Sequence, residues 1–310
     1  MRTLRIGTRR SRLATAQAEQ VRRMLRHQDV DAELVPMTTS GDRAGWPEHV
    51  DLLPDPVSMK GLWIDTILDA LREGEVDLAV HSAKDLPADE DGAGELRGLV
   101  IGAVPERADP HDVLVFRERE VLEKGMVVGT SSVRRRAQIL AAFPGVGIAD
   151  LRGNVDTRLR KLADGEVDVA VLAAAGLERL DVIPPHARTL GVDEMVPAPG
   201  QGCLAVQCRA DDRVVRAALT TLDHRPSALA LTAERALTRA LDGGCALPLG
   251  AIAAVKGDAI RLAACVASAD GARLLRAAAE GEDPATAARI VAAELRNQGS
   301  DAILAELREA

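Results

Sequence analysis

The chain has 310 residues, 47% of them hydrophobic, which is enough apolar surface to bury the cores of two or three domains. Its formal net charge of −8 argues against nucleic-acid binding through the phosphate backbone, which calls for a basic face. No apolar run reaches the roughly 18 residues of a membrane-spanning helix and no signal peptide is visible, so we expect a cytoplasmic protein without a membrane partner.

Residue usage adds two constraints. Nearly all of the 39 basic residues are arginine, since lysine occurs only five times. A guanidinium grips a carboxylate through two parallel hydrogen bonds, so the placement of particular arginines can indicate a carboxylate ligand. The four cysteines lack the paired short spacing of a zinc site and should stay reduced in the cytoplasm, which predicts neither a metal nor a disulfide. They are Cys203, Cys208, Cys245 and Cys265.

The first elements form a βαβ unit. Apolar periodicity and flanking turn residues predict a strand at Leu4 to Gly7, a helix from Ser11 to about His27 and a strand at Ala32 to Met37. The stretch from Thr38 to Lys60 follows, with several glycines and prolines and little periodicity. A connection this long usually moves or binds something, so we interpret residues 38–60 as a lid.

An internal sequence repeat predicts two lobes with the same topology. The sequence from Leu71 to Val80 recurs in similar form from Leu162 to Val171, 91 residues later. In a parallel α/β sheet the strand ends face a ligand crevice, where helix N-termini present backbone N–H groups to anions. Two such lobes should therefore enclose an anion-binding cleft. From about Leu222 the pattern changes to alanine-rich helix and short strands, which predicts a third, smaller α+β domain.

A lysine and an aspartate follow directly after a buried strand of the first lobe. In the segment His81-Ser-Ala-Lys-Asp-Leu-Pro87, Lys84 and Asp85 should project from the end of that strand. One interpretation is a polar turn with a single salt bridge. The other is catalytic, because a carboxylate placed there could protonate a leaving amine and then stabilise the cation left behind. Lys84 would lower the pKa of that carboxyl group and could bind an acid group of a substrate.

Arginines cluster at corresponding strand ends. Gly129-Thr-Ser-Ser-Val-Arg-Arg-Arg136 places three consecutive arginines at a helix start, where positive charge opposes the helix dipole unless an anion is bound. Arg152 to Arg158 and Thr8 to Ser11 repeat the combination of hydroxyl or amide caps with arginine. Any one of the three could be ordinary helix capping. Together they favour a ligand with many carboxylates.

Cys245 lies on a glycine-hinged loop, Gly243-Gly-Cys-Ala-Leu-Pro-Leu-Gly250. A lone cysteine is most often a small buried hydrophobe, and spacing alone does not make Cys245 reactive. A glycine-rich loop does allow close approach to another group. Cys203, in Pro199-Gly-Gln-Gly-Cys, is a second candidate by the same reasoning. Neither has an adjacent histidine that would indicate a thiol hydrolase.

Taken together, these motifs resemble the porphobilinogen deaminase family, also called hydroxymethylbilane synthases, over essentially the whole chain. The order and approximate spacing of the matching segments are those of the family. The segments are Thr8-Arg9-Arg10-Ser11, Lys60-Gly61-Leu62, His81-Ser82-Ala83-Lys84-Asp85, Gly129-Thr130-Ser131-Ser132-Val133-Arg134-Arg135, Arg152-Gly153-Asn154-Val155, Ala175-Gly176-Leu177, Pro199-Gly200-Gln201-Gly202 and Gly243-Gly244-Cys245.

The resemblance implies a dipyrromethane cofactor bound by a thioether to Cys245, onto which four porphobilinogen molecules are condensed with loss of ammonia. Hydrolysis then releases hydroxymethylbilane, a precursor of haem and other tetrapyrroles. Asp85 matches the catalytic aspartate, which also contacts the cofactor. The implied cofactor-binding residues are Lys84, Ser132, Arg134 and Arg135. The implied substrate-binding residues are Arg9, Ser11, Gln17, Lys60, Trp63, Arg152, Arg158 and Arg179.

The resemblance also implies the fold class: two similar α/β lobes like those of periplasmic binding proteins, plus a small α+β domain. Residues 1–104 and 203–220 would form the first lobe, with the catalytic aspartate and the lid. Residues 105–200 would form the arginine-rich second lobe, and residues 222–310 the domain that carries the cofactor cysteine. We expect a monomeric transferase whose partner is the small molecule porphobilinogen.

The chain departs from the family pattern at Arg12, at residues 58–63 and in the rest of the lid. Arg12 replaces a proline in the first helix, and Ser58 and Met59 replace two glycines before Lys60. Trp63 replaces a phenylalanine, although tryptophan can still stack on a substrate ring. The lid also has aspartates where the family often has a basic residue. These changes predict an effect on rate, substrate preference or lid motion, and a second, specialised copy of the enzyme is one interpretation.

A non-catalytic module is the rival hypothesis. Twin α/β lobes around an anion-binding cleft also describe solute-binding proteins and the effector domains of regulators. The absence of a visible signal peptide and of a DNA-binding helical segment argues against both. The third domain with Cys245 also favours the enzyme.

Overall fold

The computed structural model describes residues 2–38, 56–88, 98–118, 120–241 and 248–309, without the side chains of residues 56–63 and 307–309. These residues fall into two compact units. The first unit contains the described residues of 1–107 and 203–228. The second unit contains those of 108–202, 229–243 and 247–310.

The strands and helices of both units are numbered here in chain order. The strands are β1 (Leu4–Arg9), β2 (Ala32–Met37), β3 (Leu78–Ser82), β4 (Leu99–Ala103), β5 (Asp112–Phe116), β6 (Val127–Gly129), β7 (Gly147–Ala149), β8 (Val169–Ala173), β9 (Ala187–Thr189), β10 (Leu204–Arg209), β11 (Leu249–Lys256), β12 (Ala259–Ala267) and β13 (Leu274–Gly281). The helices are α1 (Arg12–Arg26), α2 (Pro56–Arg72), α3 (Val133–Ala142), α4 (Val155–Ala163), α5 (Ala174–Arg179), α6 (Arg213–Thr220), α7 (Arg225–Ala240), α8 (Pro284–Asn297) and α9 (Ser300–Glu309).

The first unit is built on a five-stranded sheet in the order β2-β1-β3-β10-β4. Strands β1, β2 and β3 are parallel, whereas β10 runs antiparallel to both of its neighbours. Helix α1 packs on one face because its apolar residues recur at helical spacing, and Ala18, Val21 and Leu25 are fully buried there. The predicted βαβ unit at the start of the chain is confirmed.

The second unit contains a sheet with the same plan, in the order β7-β6-β8-β5-β9. Its first three strands are again parallel, and β5 is antiparallel to β8 and β9. The repeated sequence explains the likeness. Asp77 and Asp168 hold equivalent places in the two copies, and each accepts a hydrogen bond of 2.9 Å from a backbone N–H of the neighbouring strand, from Arg5 and Val127 respectively. The predicted pair of similar α/β lobes is confirmed.

A separate layer of the second unit is α+β. Strands β11, β12 and β13 form an antiparallel meander, and one apolar face of that sheet packs against helices α7 and α8. Strict alternation in β12 places Ile260, Leu262 and Ala264 in this core. The expected smaller α+β region is confirmed.

Two elements differ from the sequence-based expectations. Helix α2 begins at Pro56, so residues 56–60 of the expected lid are helical. Proline suits the first helical turn because its missing N–H has no intrahelical partner there, and we had taken Pro56 for part of a loop. Residues 39–55 of the lid lie outside the described residues. Helix α9 was not predicted. None of the helices among the described residues combines the length and apolar character needed to cross a bilayer.

Candidate functional site

Lys84 and Asp85 lie in a short 3₁₀ turn, Ala83–Asp85, that follows β3 directly. The turn is held from two sides. The backbone N–H of Ala83 donates to the carbonyl of Cys203 at 3.0 Å, and the buried side chain of Gln17 donates to the hydroxyl of Ser82 at 2.8 Å. Lys84 is half-buried and the Asp85 side chain is exposed. The carboxylate is therefore accessible while its backbone is fixed.

His81 lies directly before this turn, at the end of β3. Its ring is buried, and Nε2 has no hydrogen-bond partner within the part of the chain that the structure describes. Burial lowers the pKa of His81 to about 4, against an opposing effect of the Asp85 charge. The imidazole is therefore neutral at physiological pH, and it supports the turn without adding positive charge near Asp85.

Three other predicted residues of the first unit lie in or beside α1. Ser11 is the N-cap of that helix, and its hydroxyl accepts from the N–H of Ala14 at 3.3 Å. Arg9 ends β1 and is half-buried. Gln17 lies nearly two turns beyond Ser11 in α1, and its side chain donates to Ser82. The helix thus connects predicted substrate-binding residues with the strand that carries the aspartate.

Arg134 and Arg135 are buried at the start of α3 in the second unit, where they share one carboxylate. The Arg135 Nε and Nη2 atoms donate to Oδ1 of Asp112 at 3.0 and 2.7 Å. Nη1 of Arg134 lies 2.8 Å from Oδ2 of the same residue. Burial alone would raise the pKa of Asp112, but the two guanidiniums outweigh it and hold that pKa well below its usual range. Asp112 is therefore a fully buried anion.

Further hydrogen bonds fix this cluster from outside. Nη1 of Arg134 donates to the carbonyl of Val196 at 2.7 Å, and Nη1 of Arg135 donates to the carbonyl of Val171 at 2.8 Å. The amide of Gln201 adds a donor to Asp112 at 2.9 Å. Among the described residues the cluster contains two cations and one anion, so it carries a net charge of +1 away from water.

Ser132 lies beside this cluster as the N-cap of α3. Its hydroxyl accepts from the backbone N–H of Arg135 at 3.4 Å, and its own N–H donates to the hydroxyl of Thr130 at 3.1 Å. The side chain of Ser132 is half-buried. The structure therefore brings three of the predicted cofactor-binding residues, Ser132, Arg134 and Arg135, together at one helix N-terminus. That terminus also attracts anions through its backbone N–H groups.

Three more predicted arginines of the second unit are anchored by contacts with loop residues. Arg152 pairs with Asp150, and Nε of Arg158 donates to the carbonyl of Gly153 at 2.9 Å. Nη2 of Arg179 donates to the carbonyl of Gly202 at 2.7 Å. All three side chains are half-buried. Their positions are thus set by neighbouring backbone or side-chain atoms, which lowers the entropy lost when an anion binds.

Sequence reasoning missed the buried carboxylates of the second unit, Asp112 and Glu234. Oε2 of Glu234 accepts from the N–H of Gly200 at 2.6 Å, and Oε1 accepts from the N–H of Ala253 at 2.7 Å. A signal for each was present in the sequence. Asp112 heads an otherwise apolar strand, and Glu234 lies on the apolar stripe of α7 between Ala233 and Leu237. Charged residues at such positions are rarely buried unless they are paired.

For several predicted site residues the structure does not describe the side chain. Cys245 belongs to residues 242–247, and the side chains of Lys60 and Trp63 are likewise not described, although both residues are in α2. The three remaining cysteines are buried. Burial raises the pKa of both Cys208 and Cys265 to about 11, so these thiols are unreactive. Among the described ranges, no group of three or more acidic, histidine or cysteine side chains could hold a metal ion.

Two family models match the chain. The model described as porphobilinogen deaminase, dipyromethane cofactor binding domain, matches residues 4–217. The model described as porphobilinogen deaminase, C-terminal domain, matches residues 228–297. Curated relatives are similar in sequence to this chain along its whole length. A porphobilinogen deaminase of Brevibacillus brevis is 44% identical and one of Acidithiobacillus ferrooxidans is 42% identical, with at least 98% of each chain covered.

Solved structures of periplasmic binding proteins are more distant. The aliphatic sulphonate binding protein of Escherichia coli is 16% identical, with a TM-score of 0.41 over 78% of this chain and 75% of that one. An arginine transport system binding protein of Legionella pneumophila is 12% identical, with a TM-score of 0.40 over 71% of this chain and 91% of that one.

Proposed function

Because the chain belongs to the porphobilinogen deaminase family, we propose that it is a transferase that builds hydroxymethylbilane from four porphobilinogen molecules. The growing chain would extend from a dipyrromethane held by a thioether at Cys245. Each condensation would release ammonia, and hydrolysis would free the product. The observation that carries the proposal is the buried cluster of Asp112, Arg134 and Arg135, whose net charge is +1 among the described residues.

The charge of this cluster fits the group that the family implies. Every porphobilinogen ring carries an acetate and a propionate, so a dipyrromethane presents four carboxylates. A buried cation without a counter-ion is costly, and an anionic ligand removes that cost. Ser132 adds a hydroxyl donor at the same helix N-terminus. We propose that Lys84, Ser132, Arg134 and Arg135 hold the cofactor through its carboxylates.

A second set of residues would bind the incoming porphobilinogen and the lengthening chain. Each added ring brings two more carboxylates, so the required number of cations rises as the reaction proceeds. Anchored guanidiniums can hold these groups with little loss of side-chain entropy. The proposed set is Arg9, Ser11, Gln17, Lys60, Trp63, Arg152, Arg158 and Arg179.

Asp85 is the proposed catalytic residue. When bound, the cofactor would supply the pyrrole carbon that acts as nucleophile in the first condensation, and the ring added last would supply it in each later one. The Asp85 carboxyl group would give its proton to the departing amino group, and the carboxylate would then stabilise the positive charge left on the substrate ring. Its rigid turn supports this role, because Ala83 and Ser82 are both held by hydrogen bonds. The neutral ring of His81 leaves Lys84 as the neighbouring cation.

Intact-protein mass spectrometry tests the covalent part of the proposal. We expect protein purified from cells that make tetrapyrroles to carry an added mass equal to a dipyrromethane. Cys245→Ser should remove that mass, whereas Cys265→Ser, which changes a buried thiol, should retain it. An acidic, pyrrole-reactive aldehyde reagent should colour only the loaded forms. A wild-type protein with the bare polypeptide mass would contradict the proposed function.

Steady-state turnover tests the role of Asp85. Asp85→Asn should keep the dipyrromethane mass and lose about 10²- to 10⁴-fold in kcat, the usual contribution of a positioned general acid. Asp211→Asn removes an exposed carboxylate elsewhere in the same unit and serves as the matched control. We expect that control to retain wild-type turnover. Normal turnover in Asp85→Asn would refute the assignment.

A further inference from the structure

We propose that Asp112 is a positioning residue, which holds Arg134 and Arg135 side by side so that both guanidiniums can bind carboxylates of the cofactor. The inference rests on the proposed function and adds to it a residue that has no direct role in binding. Asp112 heads β5, whereas both arginines lie in the first turn of α3. The carboxylate thus connects the strand end to the helix N-terminus where the anion is expected.

The contacts of Asp112 leave it little freedom. Oδ1 accepts two hydrogen bonds from Arg135 and one from Gln201, while Oδ2 faces Nη1 of Arg134 at 2.8 Å. The residue has no exposed surface, so water cannot take over any of these contacts. A carboxylate held from three side chains fixes the orientation of each of them.

Charge explains why the two arginines need this partner. Two adjacent guanidiniums in a buried place repel each other strongly, because the surroundings screen them poorly. A carboxylate between them removes that repulsion and leaves a net charge of +1 in the cluster. An asparagine at position 112 would leave +2, which favours separation of the two side chains or entry of water.

The same contacts leave donors for a ligand. Arginine has five N–H groups. Among the described residues, Asp112 and the Val171 carbonyl engage three of them in Arg135, and both contacts of Arg134 use its Nη1 atom. Nε and Nη2 of Arg134 have no acceptor among the described residues, so they remain to donate to a ligand. Asp112 and the backbone carbonyls therefore orient the guanidiniums without saturating them, as expected of a support for a binding pair.

The loop from Pro199 to Gly202 supports Asp112 in turn. Gln201 donates to Asp112 and also to the carbonyl of Pro110 at 2.8 Å. Gly200, at φ +76°, places its N–H on Glu234 in α7. Left-handed backbone of this kind is available mainly to glycine. The chain of contacts from Glu234 through Gln201 to Asp112 gives the carboxylate a rigid base within the second unit.

The test compares cofactor loading with stability in three variants. Asp112→Asn should lower the loaded fraction by about 10-fold or more, since small displacements of positioning groups cost at least that much. Leu114→Ala is the matched control, because Leu114 is a buried residue of the same strand whose side chain belongs to the apolar core of the sheet. We expect it to lower the melting temperature but to keep the cofactor. Circular dichroism and intact mass give the two readouts.

Asp112→Glu keeps the charge on a slightly longer side chain and guards against a simple folding failure of the asparagine variant. It should load more cofactor than Asp112→Asn. Full loading of Asp112→Asn, equal loading of the two Asp112 variants, or loss of cofactor in Leu114→Ala in proportion to its melting temperature would each overturn the positioning role. A wild-type protein without the dipyrromethane mass would instead contradict the proposed function.

Discussion

Replacing Asp77 with alanine should destabilise the first unit by about 3 kcal/mol. The carboxylate is fully buried and accepts from the backbone N–H of Arg5 at 2.9 Å and from the Arg5 side chain at 3.2 and 3.1 Å. Loss of the acceptor leaves that N–H unsatisfied, at about 1–3 kcal/mol. The ion pair contributes about 1 kcal/mol, discounted because the Arg5 side chain is one-third exposed.

The equivalent residue of the second sheet supplies the control. Asp168 accepts from the N–H of Val127 at 2.9 Å, but its side chain is one-third exposed and Arg117 lies 3.3 Å away. Water can therefore replace both contacts, and Asp168→Ala should cost about 1 kcal/mol. Urea denaturation followed by circular dichroism measures both variants. With a slope of about 2 kcal/mol per molar urea, the two midpoints should differ by about 1 M.

The pH dependence of Asp77→Asn provides a second readout. Burial raises the pKa of Asp77, but Arg5 outweighs that effect and leaves it below the ordinary value of 3.8. A depressed folded-state pKa stabilises the protein above pH 3.8, and that contribution is lost as pH falls through the lower folded-state value. The gap between wild type and Asp77→Asn should therefore narrow below about pH 4. A gap that stays constant to pH 3, or a larger effect from Asp168→Ala, would refute the reasoning.

Two further predictions concern the cysteines and a glycine. Alkylation of the native protein at pH 8 should spare the three buried thiols, those of Cys203, Cys208 and Cys265. After unfolding, the holoprotein should take up three reagent molecules, whereas four would contradict a thioether at Cys245. Gly271→Ala should cost more stability than Gly74→Ala, measured by urea denaturation. Both have positive φ, but a methyl group at Gly271 would lie 2.5 Å from a backbone carbonyl, whereas Gly74 faces open space.

Local sequence patterns predicted part of each sheet, and the antiparallel strands β5 and β9 were not among the predicted strands. The βαβ unit from Leu4 to Met37 was predictable because each element shows its own apolar period and Ser11 marks the helix start. The repeat of Leu71–Val80 at residues 162–171 indicated a second, similar sheet, because similar sequences with similar turns form similar strands. The start of α2 was missed because proline occurs both in loops and at helix starts, and Pro56 was assigned to the lid.

The buried cluster of Asp112, Arg134 and Arg135 could not be predicted from local sequence patterns. The sequence predicted that Arg134 and Arg135 lie at a helix start and bind an anionic ligand. It did not predict which residue of the chain pairs with them. Asp112 lies 23 residues before Arg135, and only the pairing of β5 with β8 brings the strand end to the helix. A charged residue at the start of an apolar strand indicates a buried, paired charge, although it does not identify the residue that pairs with it.

The position of β10 has a consequence for synthesis on the ribosome. This strand lies between β3 and β4, and the pair of Leu204 with Ser82 joins residues 122 positions apart. The sheet of the second unit is complete in sequence once β9 ends at Thr189. During synthesis, one edge of β3 therefore stays unpaired until β10 has been made, whereas the sheet of the second unit is already able to fold. Since chains with exposed strand edges aggregate, we expect this interval to be the stage at which the emerging protein most needs a chaperone.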